Sequence, residues 1–244
     1  MNITPRESLV GAHVVVLGAS TGIGLATAAA VKARGAVVTL VGRDAAKLEA
    51  AARELGGPRI AVSDITDRRS IEAVFAGMTR VDHLVITAGN FAVGRIADTD
   101  PDQLLSVVRD RIAGPLYAIK AALGLIPLTG SIVLTGGELS DRPSGHGTSA
   151  IACAVRGIEA LARSLALELK PIRVNTVSPG FVQTPMWDVL GSEGRSGLLT
   201  EVAKRLPGGR IGTADEIADA IILLLENGYM NAEVLHIDGG GRFV

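Results

Sequence analysis

The stretch Val14-Val-Val-Leu-Gly18-Ala-Ser20-Thr21-Gly22-Ile23-Gly24-Leu-Ala26 constrains this chain more than any other. Four apolar residues, three of them β-branched, read as a strand buried on both faces. Three glycines follow at the spacing Gly-x3-Gly-x-Gly, and an Ala-rich helical stretch begins directly after them. Gly18 permits a tight turn at the strand end. Gly22 lets the backbone approach a ligand, and Gly24 lets the helix lie close on the sheet. The helix N-terminus adds free N–H groups and a positive dipole, which suit a pyrophosphate. Strand, glycine turn and helix in this order imply a dinucleotide site, with Ser20, Thr21 and Ile23 completing the turn.

The rest of the chain repeats the alternation. Strands are expected at Val14–Leu17, Val37–Val41, Arg59–Val62, His83–Thr87, Ser131–Thr135, Arg173–Val177 and Glu233–Ile237. Helical patterns fall at Ile23–Arg34, Ala45–Leu55, Ser70–Gly77, Asp102–Leu123, Ser149–Leu169 and Asp215–Leu225, with Pro115 a candidate kink. This gives an α/β chain: a Rossmann-type, doubly wound, parallel seven-stranded sheet in one domain spanning residues 1–244. Aromatics are only 3% of the chain, so the core must be built from Ala, Val, Ile and Leu. The irregular segment Phe181–Gly209, with Gly191, Gly194 and Gly197, is expected to be a lid or binding loop beside the ligand.

A net charge of -1 without a basic block gives no reason to expect nucleic acid or an anionic membrane as partner. The single cysteine, Cys153, excludes an internal disulfide and a Cys-based metal cluster, so no metal is expected. Its Ala-rich helix suggests that it is buried. Met1–Gly11 lacks the pattern of a signal peptide, and the apolar runs are far shorter than the roughly 20 residues that span a bilayer. A cytoplasmic protein is the expectation.

Further stretches carry a resemblance. Gly18–Gly24 is similar to the cofactor turn of the short-chain dehydrogenase/reductase family. Asp64-Ile65 resembles its adenine-contacting pair. Thr87-Ala88-Gly89 resembles its Asn-Ala-Gly turn, with Thr for Asn. Arg173–Gly180 resembles its strand-six signature, and Gly209–Gly212 and Asp238–Gly240 its C-terminal ones. The resemblance implies that Gly18, Ser20, Thr21, Gly22, Ile23, Gly24, Asp64, Ile65, Ala88, Gly89, Pro179, Gly180, Val182 and Thr184 hold the cofactor, Thr184 at the nicotinamide amide. It also implies pairing of the fourth and fifth helices into a homodimer or homotetramer.

The end of the second strand selects the dinucleotide. An acid there would accept the free ribose 2′-OH and repel a 2′-phosphate. The chain reads Thr39-Leu-Val-Gly42-Arg43, and Arg43 offers a fork suited to phosphate, unless it pairs with Asp44. NADP(H) is expected over NAD(H).

The resemblance further implies a Ser, a Tyr and a Lys that assist hydride transfer, with a helix Asn. Here the chain departs. Ile151 stands at the Tyr position and Val155 at the Lys position. Gly137 or Glu138 stands at the Ser position, and Arg111 at the Asn position. Glu138 and His146 are weak candidates for a replacement acid. Arg111 is a weak candidate for binding an anion, a structural salt bridge being the preferred reading. Tyr117 and Lys120, three apart, read as an amphipathic face rather than a substitute pair, and Thr148 or Ser149 as a helix N-cap. Two functions stay open: an atypical carbonyl or alcohol oxidoreductase with an unknown small-molecule substrate, and a catalytically silent cofactor-binding protein. Halide elimination on the same fold ranks last.

Overall fold

The structure is a computed structural model that describes residues 9–244. Met1–Ser8, and with them most of the N-terminal stretch read above, lie outside the described residues.

Seven strands form one parallel sheet: β1 (His13–Leu17), β2 (Val37–Gly42), β3 (Arg59–Val62), β4 (His83–Ile86), β5 (Ser131–Thr135), β6 (Arg173–Pro179) and β9 (Val234–Ile237). Their order is β3-β2-β1-β4-β5-β6-β9, so the chain reverses direction of travel between β1 and β4. In such sheets the ligand crevice opens beyond the carboxyl ends of the strands at that point. The apolar runs explain the doubly wound form. Val14 and Val16 face one side with α1 (Gly22–Ala33), α2 (Ala45–Glu54) and α7 (Ala214–Glu226). Val15 and Leu17 face the other with α3 (Arg68–Phe75), α4 (Pro101–Ala122) and α5 (Ser149–Glu168). The inner strands run with apolar residues on successive positions, as in Val14–Leu17, Leu84–Ile86 and Ile132–Leu134, because both faces are covered.

Helix starts follow side-chain caps. Asp67 accepts from the N–H groups of Arg69 and Ser70, so α3 begins at Arg68, two residues before the apolar pattern does. Asp100 caps α4 with Pro101 in the first turn, and Thr213 and Glu216 form a reciprocal capping box on α7. Thr148 holds the N-cap position of α5, but its hydroxyl bonds Ser144 rather than the helix. At the far edge Arg173 donates to the carbonyls of Leu224 and Leu225, closing the open end of α7.

The segment Phe181–Gly209 differs from its expectation. It is largely helical: a 3-10 turn at Pro185–Leu190 runs into α6 (Gly191–Arg205). Its glycines masked the helix, and no apolar stripe announced it, since Val202 is the residue α6 buries. Lys204 and Arg205 in the last turn suit the helix dipole. Two short strands, β7 (Val182–Gln183) and β8 (Gly212–Thr213), pair beside it and were also not legible.

Candidate functional site

The glycine turn is held too tightly for side chains. A Cβ on Gly24 would lie 2.1 Å from the Gly18 carbonyl oxygen, and one on Gly18 would lie 2.6 Å from Thr87 Oγ1 and 2.7 Å from the Ala88 nitrogen. Gly18 and Gly22 adopt φ of 90° and 56°, in the region that favours glycine. Thr87 replaces the resembled Asn competently: its hydroxyl donates to the Leu17 carbonyl at 2.9 Å, fixing the end of β4 to the turn. Thr21 takes the N-cap position of α1, yet its side chain makes no cap bond. The first turn of α1 therefore keeps N–H groups for an anion. Thr184, also without a cap bond, rests on the turn, its Cβ 3.3 Å from where a Gly22 side chain would begin. The segment after β6 thus closes over the glycine turn.

The region around the ends of β2 and β3 is polar. Arg43 is exposed, and its Nη1 lies 3.5 Å from Asn90 Oδ1. Asp44 is engaged otherwise, capping α2 through the Lys47 N–H. The alternative pairing of Arg43 with Asp44 is not seen. Asp64 accepts from the N–H and hydroxyl of Thr66, and these bonds, more than Arg43 nearby, hold its carboxyl below the usual range. Ile65 packs on Gly114 of α4, where a Cβ would come within 2.6 Å of its side chain. Gly180 is pressed between Asp238 and Glu138, each 2.7 Å from a Cβ there. Pro179 and Val182 beside it are buried.

The positions expected to hold Tyr and Lys are apolar and closed. Ile151 is 1% exposed and Val155 3%, and they form a separate small cluster with Val107, against which Leu139 packs. Gly137 faces this cluster, with 3.6 Å between its would-be Cβ and Val155. Glu138 turns away, towards Gly180 and the C-terminal turn at Gly241. Its Oε2 is buried without a partner, and burial, helped by Asp238, raises its pKa against the pull of Arg142. His146 is exposed.

Arg111 corrects its expectation of a structural salt bridge. Its Nε donates to the Asn90 carbonyl at 2.7 Å, it packs on Gly89, and no carboxylate among the described residues pairs with it. Burial lowers its pKa to about 10, which still leaves it charged at neutral pH. With Ala88, Thr135 and Ile158 it lines a small cavity, and Thr135 Oγ1 has no partner. Cys153 is a second correction, for it is exposed on α5. It lies off the stripe Ile151, Ala154, Val155, Ile158, Ala162 and Leu165 that α5 buries. Tyr117 is half-buried in the core under α4 and Lys120 is exposed, an amphipathic arrangement as read.

Sequence reasoning missed two constellations. Arg156 bridges Glu159 at 2.8 Å and Asp141 at 3.1 Å, Ser140 donates to Glu159, and His236 meets Asp141 at 2.7 Å. The ligand-type atoms of Asp141, Glu159 and His236 lie within 4.8 Å of one another, but Arg156 already supplies the countercharge. The second is aromatic. Phe181 stacks on Trp187 with ring centroids 5.4 Å apart, and Phe91 meets Trp187 edge-on at 6.0 Å. These residues follow the ends of β4 and β6, and that placement was the signal available in the sequence.

A seven-stranded parallel sheet with a glycine turn at its switch point, roofed by the segment after β6, defines a dinucleotide-binding protein of the Rossmann type. The family model described as enoyl-(acyl carrier protein) reductase matches residues 18–241. The human 3-oxoacyl-[acyl-carrier-protein] reductase is 32% identical over 237 residues, covering 94% of this chain and 97% of that protein. The NADPH-bound structure of a Pseudomonas aeruginosa PAO1 short-chain oxidoreductase, described as containing an atypical catalytic center, is 28% identical with a TM-score of 0.87, covering 94% of this chain and 96% of that one. A small-chain dehydrogenase solved with NADPH is 30% identical with a TM-score of 0.84, covering 96% of this chain and all (100%) of that one. The chain belongs to the short-chain dehydrogenase/reductase family, a family of oxidoreductases. Among the described residues, no helix is long and apolar enough to cross a membrane.

Proposed function

We propose that this chain binds NADP(H) across the turn Gly18–Gly24 and exchanges hydride with a small carbonyl or alcohol substrate without a protein-borne proton donor. The observation that carries this reading is the apolar cluster of Ile151, Val155, Val107 and Leu139 where the family's Tyr and Lys are expected. The cofactor, when bound, supplies the hydride. The chain's own part is to place it: the first turn of α1 receives the phosphates, Arg43 suits a ribose 2′-phosphate, and Thr184 lies at the nicotinamide end. Positioning alone can supply about 7–11 kcal/mol at best, whereas general acid catalysis adds roughly 10²–10⁴ in rate. Reduction with water as the proton source is therefore feasible but slow.

Arg43 favours NADP(H), with NAD(H) the weaker ligand, and two solved relatives hold NADPH. Exposed Leu105 and Leu116 on α4 and Leu167 on α5 support a homodimer or homotetramer. The second reading, a catalytically silent NADP(H)-binding protein, is favoured by Glu138, which points to the C-terminal turn and not to the Val155 face. A panel of aldehydes, ketones and alcohols with NADPH or NADP⁺ separates the two. Slow turnover, unaffected by His146→Ala, supports the first. Tight NADPH binding with no turnover on any substrate supports the second.

A further inference from the structure

The chain has seven aromatic residues (four Phe, one Trp, two Tyr), and its core barely uses them. Among the described residues the buried apolar side chains include a single aromatic, Phe75. Three of the seven instead gather at the mouth of the crevice, brought there by separate segments: Phe91 after β4, Phe181 after β6 and Trp187 in the 3-10 turn that follows. Trp187 is held in place, since its indole N–H donates to the Val182 carbonyl at 2.9 Å. Phe181 stacks on it nearly parallel, at 13°, and Phe91 approaches at 70°.

A staple that merely fixed the segment after β6 would bury its apolar groups. Here they stay partly open: Phe91 is 38% exposed, Phe181 and Trp187 are half-buried, and the same two segments carry Val93, Met186 and Leu190, all exposed. Large apolar groups left in water together mark a surface that something else covers. Their position says what. The Phe91 segment is tied to the start of α5 by the bond from the Gly94 N–H to the Gly147 carbonyl, 2.8 Å, and α5 carries Ile151 and Val155. Three residues before Trp187, Thr184 touches the glycine turn. The aromatic groups therefore stand beside both the glycine turn and the start of α5. Aromatic rings fixed in both stacked and edge-on geometry can extend the same pairing to a planar ring of a ligand, a gain a saturated chain of the same shape does not receive.

We propose that the ligand of this site is an apolar small molecule with a planar aromatic ring, held at its rim by Phe91, Trp187 and Phe181. This rests on the NADP(H) reading above and adds the substrate class. The alternatives, a second copy of the chain or a saturated apolar ligand, are outcomes of the test.

The test uses the full chain loaded with NADP⁺, titrated by calorimetry with 2-tetralone and with 2-decalone, its saturated counterpart of similar shape and the same carbonyl position. 2-Tetralone is expected to bind about tenfold more tightly, at the upper end of what aromatic pairing supplies. F91A and W187L should reduce that preference below twofold, and W187F should retain most of it. In F91A, energy transfer from Trp187, the sole tryptophan, to added NADPH reports in the same sample that the cofactor is held. Equal affinity for both ketones, or a preference unchanged in F91A, overturns the proposal. So does a shift from dimer to monomer on F91A without any ketone binding, which would assign the patch to a second copy. Binding of neither ketone while NADPH still gives energy transfer overturns the substrate class alone. Loss of energy transfer in the wild-type chain removes the cofactor reading and this inference with it.

Discussion

The two halves of the crevice have been treated differently. At the glycine turn the backbone leaves no slack, and a single Cβ on Gly24 would meet the Gly18 carbonyl at 2.1 Å. Across the crevice, at Ile151 and Val155, chemically ordinary side chains fill a pocket as core residues do. The first half is specified by backbone geometry that leaves no room for a Cβ on Gly18 or Gly24. The second is specified only by packing. The proposed function rests on this contrast: it treats holding a hydride carrier and assisting proton transfer as separable properties of the fold, with the first kept in this chain.

Breaking the first half should have the largest effect. Gly24→Val is expected to weaken NADPH binding on the order of 100-fold or more, because the helix must move off the turn. Energy transfer from Trp187 reads the affinity, and circular dichroism checks that the sheet persists. Breaking the second half should cost stability instead. Ile151→Ala is expected to destabilise by about 2–5 kcal/mol in urea titrations, with the NADPH affinity hardly changed. If Ile151→Ala instead abolished NADPH binding, the two halves would not be separable.

Further from the crevice, His83 provides a control on stability alone. It is buried at the start of β4 against Ser131 Oγ, and burial pushes its pKa down from 6.5 to about 4, against the opposing pull of Asp82. Between those values the unfolded chain binds more protons than the folded one, so stability falls as the pH drops from 6.5 towards 4. About 3 kcal/mol is expected to be lost across that window, and His83→Gln should flatten the dependence. The smallest effect sharpens the first half. Arg43→Glu should weaken NADPH binding about 10- to 100-fold while leaving NADH binding unchanged or tighter.

Much of the fold was legible because it depends on local rules. The β-branched runs set the strands, whereas the caps at Asp67, Asp100 and Thr213 that fix helix starts were not read from the sequence. The turn Gly18–Gly24 was legible because glycine spacing reports backbone geometry directly. α6 was not, because its glycines and its single buried contact at Val202 give no periodic signal. Arg111 was misjudged because its surroundings are set by Gly89 and Asn90, distant in the chain, and Cys153 because composition was weighed above its place off the buried stripe of α5. The aromatic group at Phe91, Phe181 and Trp187 depends on two segments meeting beyond β4 and β6; their place after the strand ends was legible, the contact between them was not.

The separation of cofactor binding from proton transfer is tested most directly by following one sample through both. Energy transfer from Trp187 measures NADPH and NADH binding, and the loss of NADPH absorbance with 2-tetralone measures hydride transfer from pH 6 to 9. Saturable binding that favours NADPH, with oxidation that is slow or absent and shows no break with pH, is the predicted result. Failure to bind NADPH, or rapid oxidation with a pH break near neutrality, would contradict it.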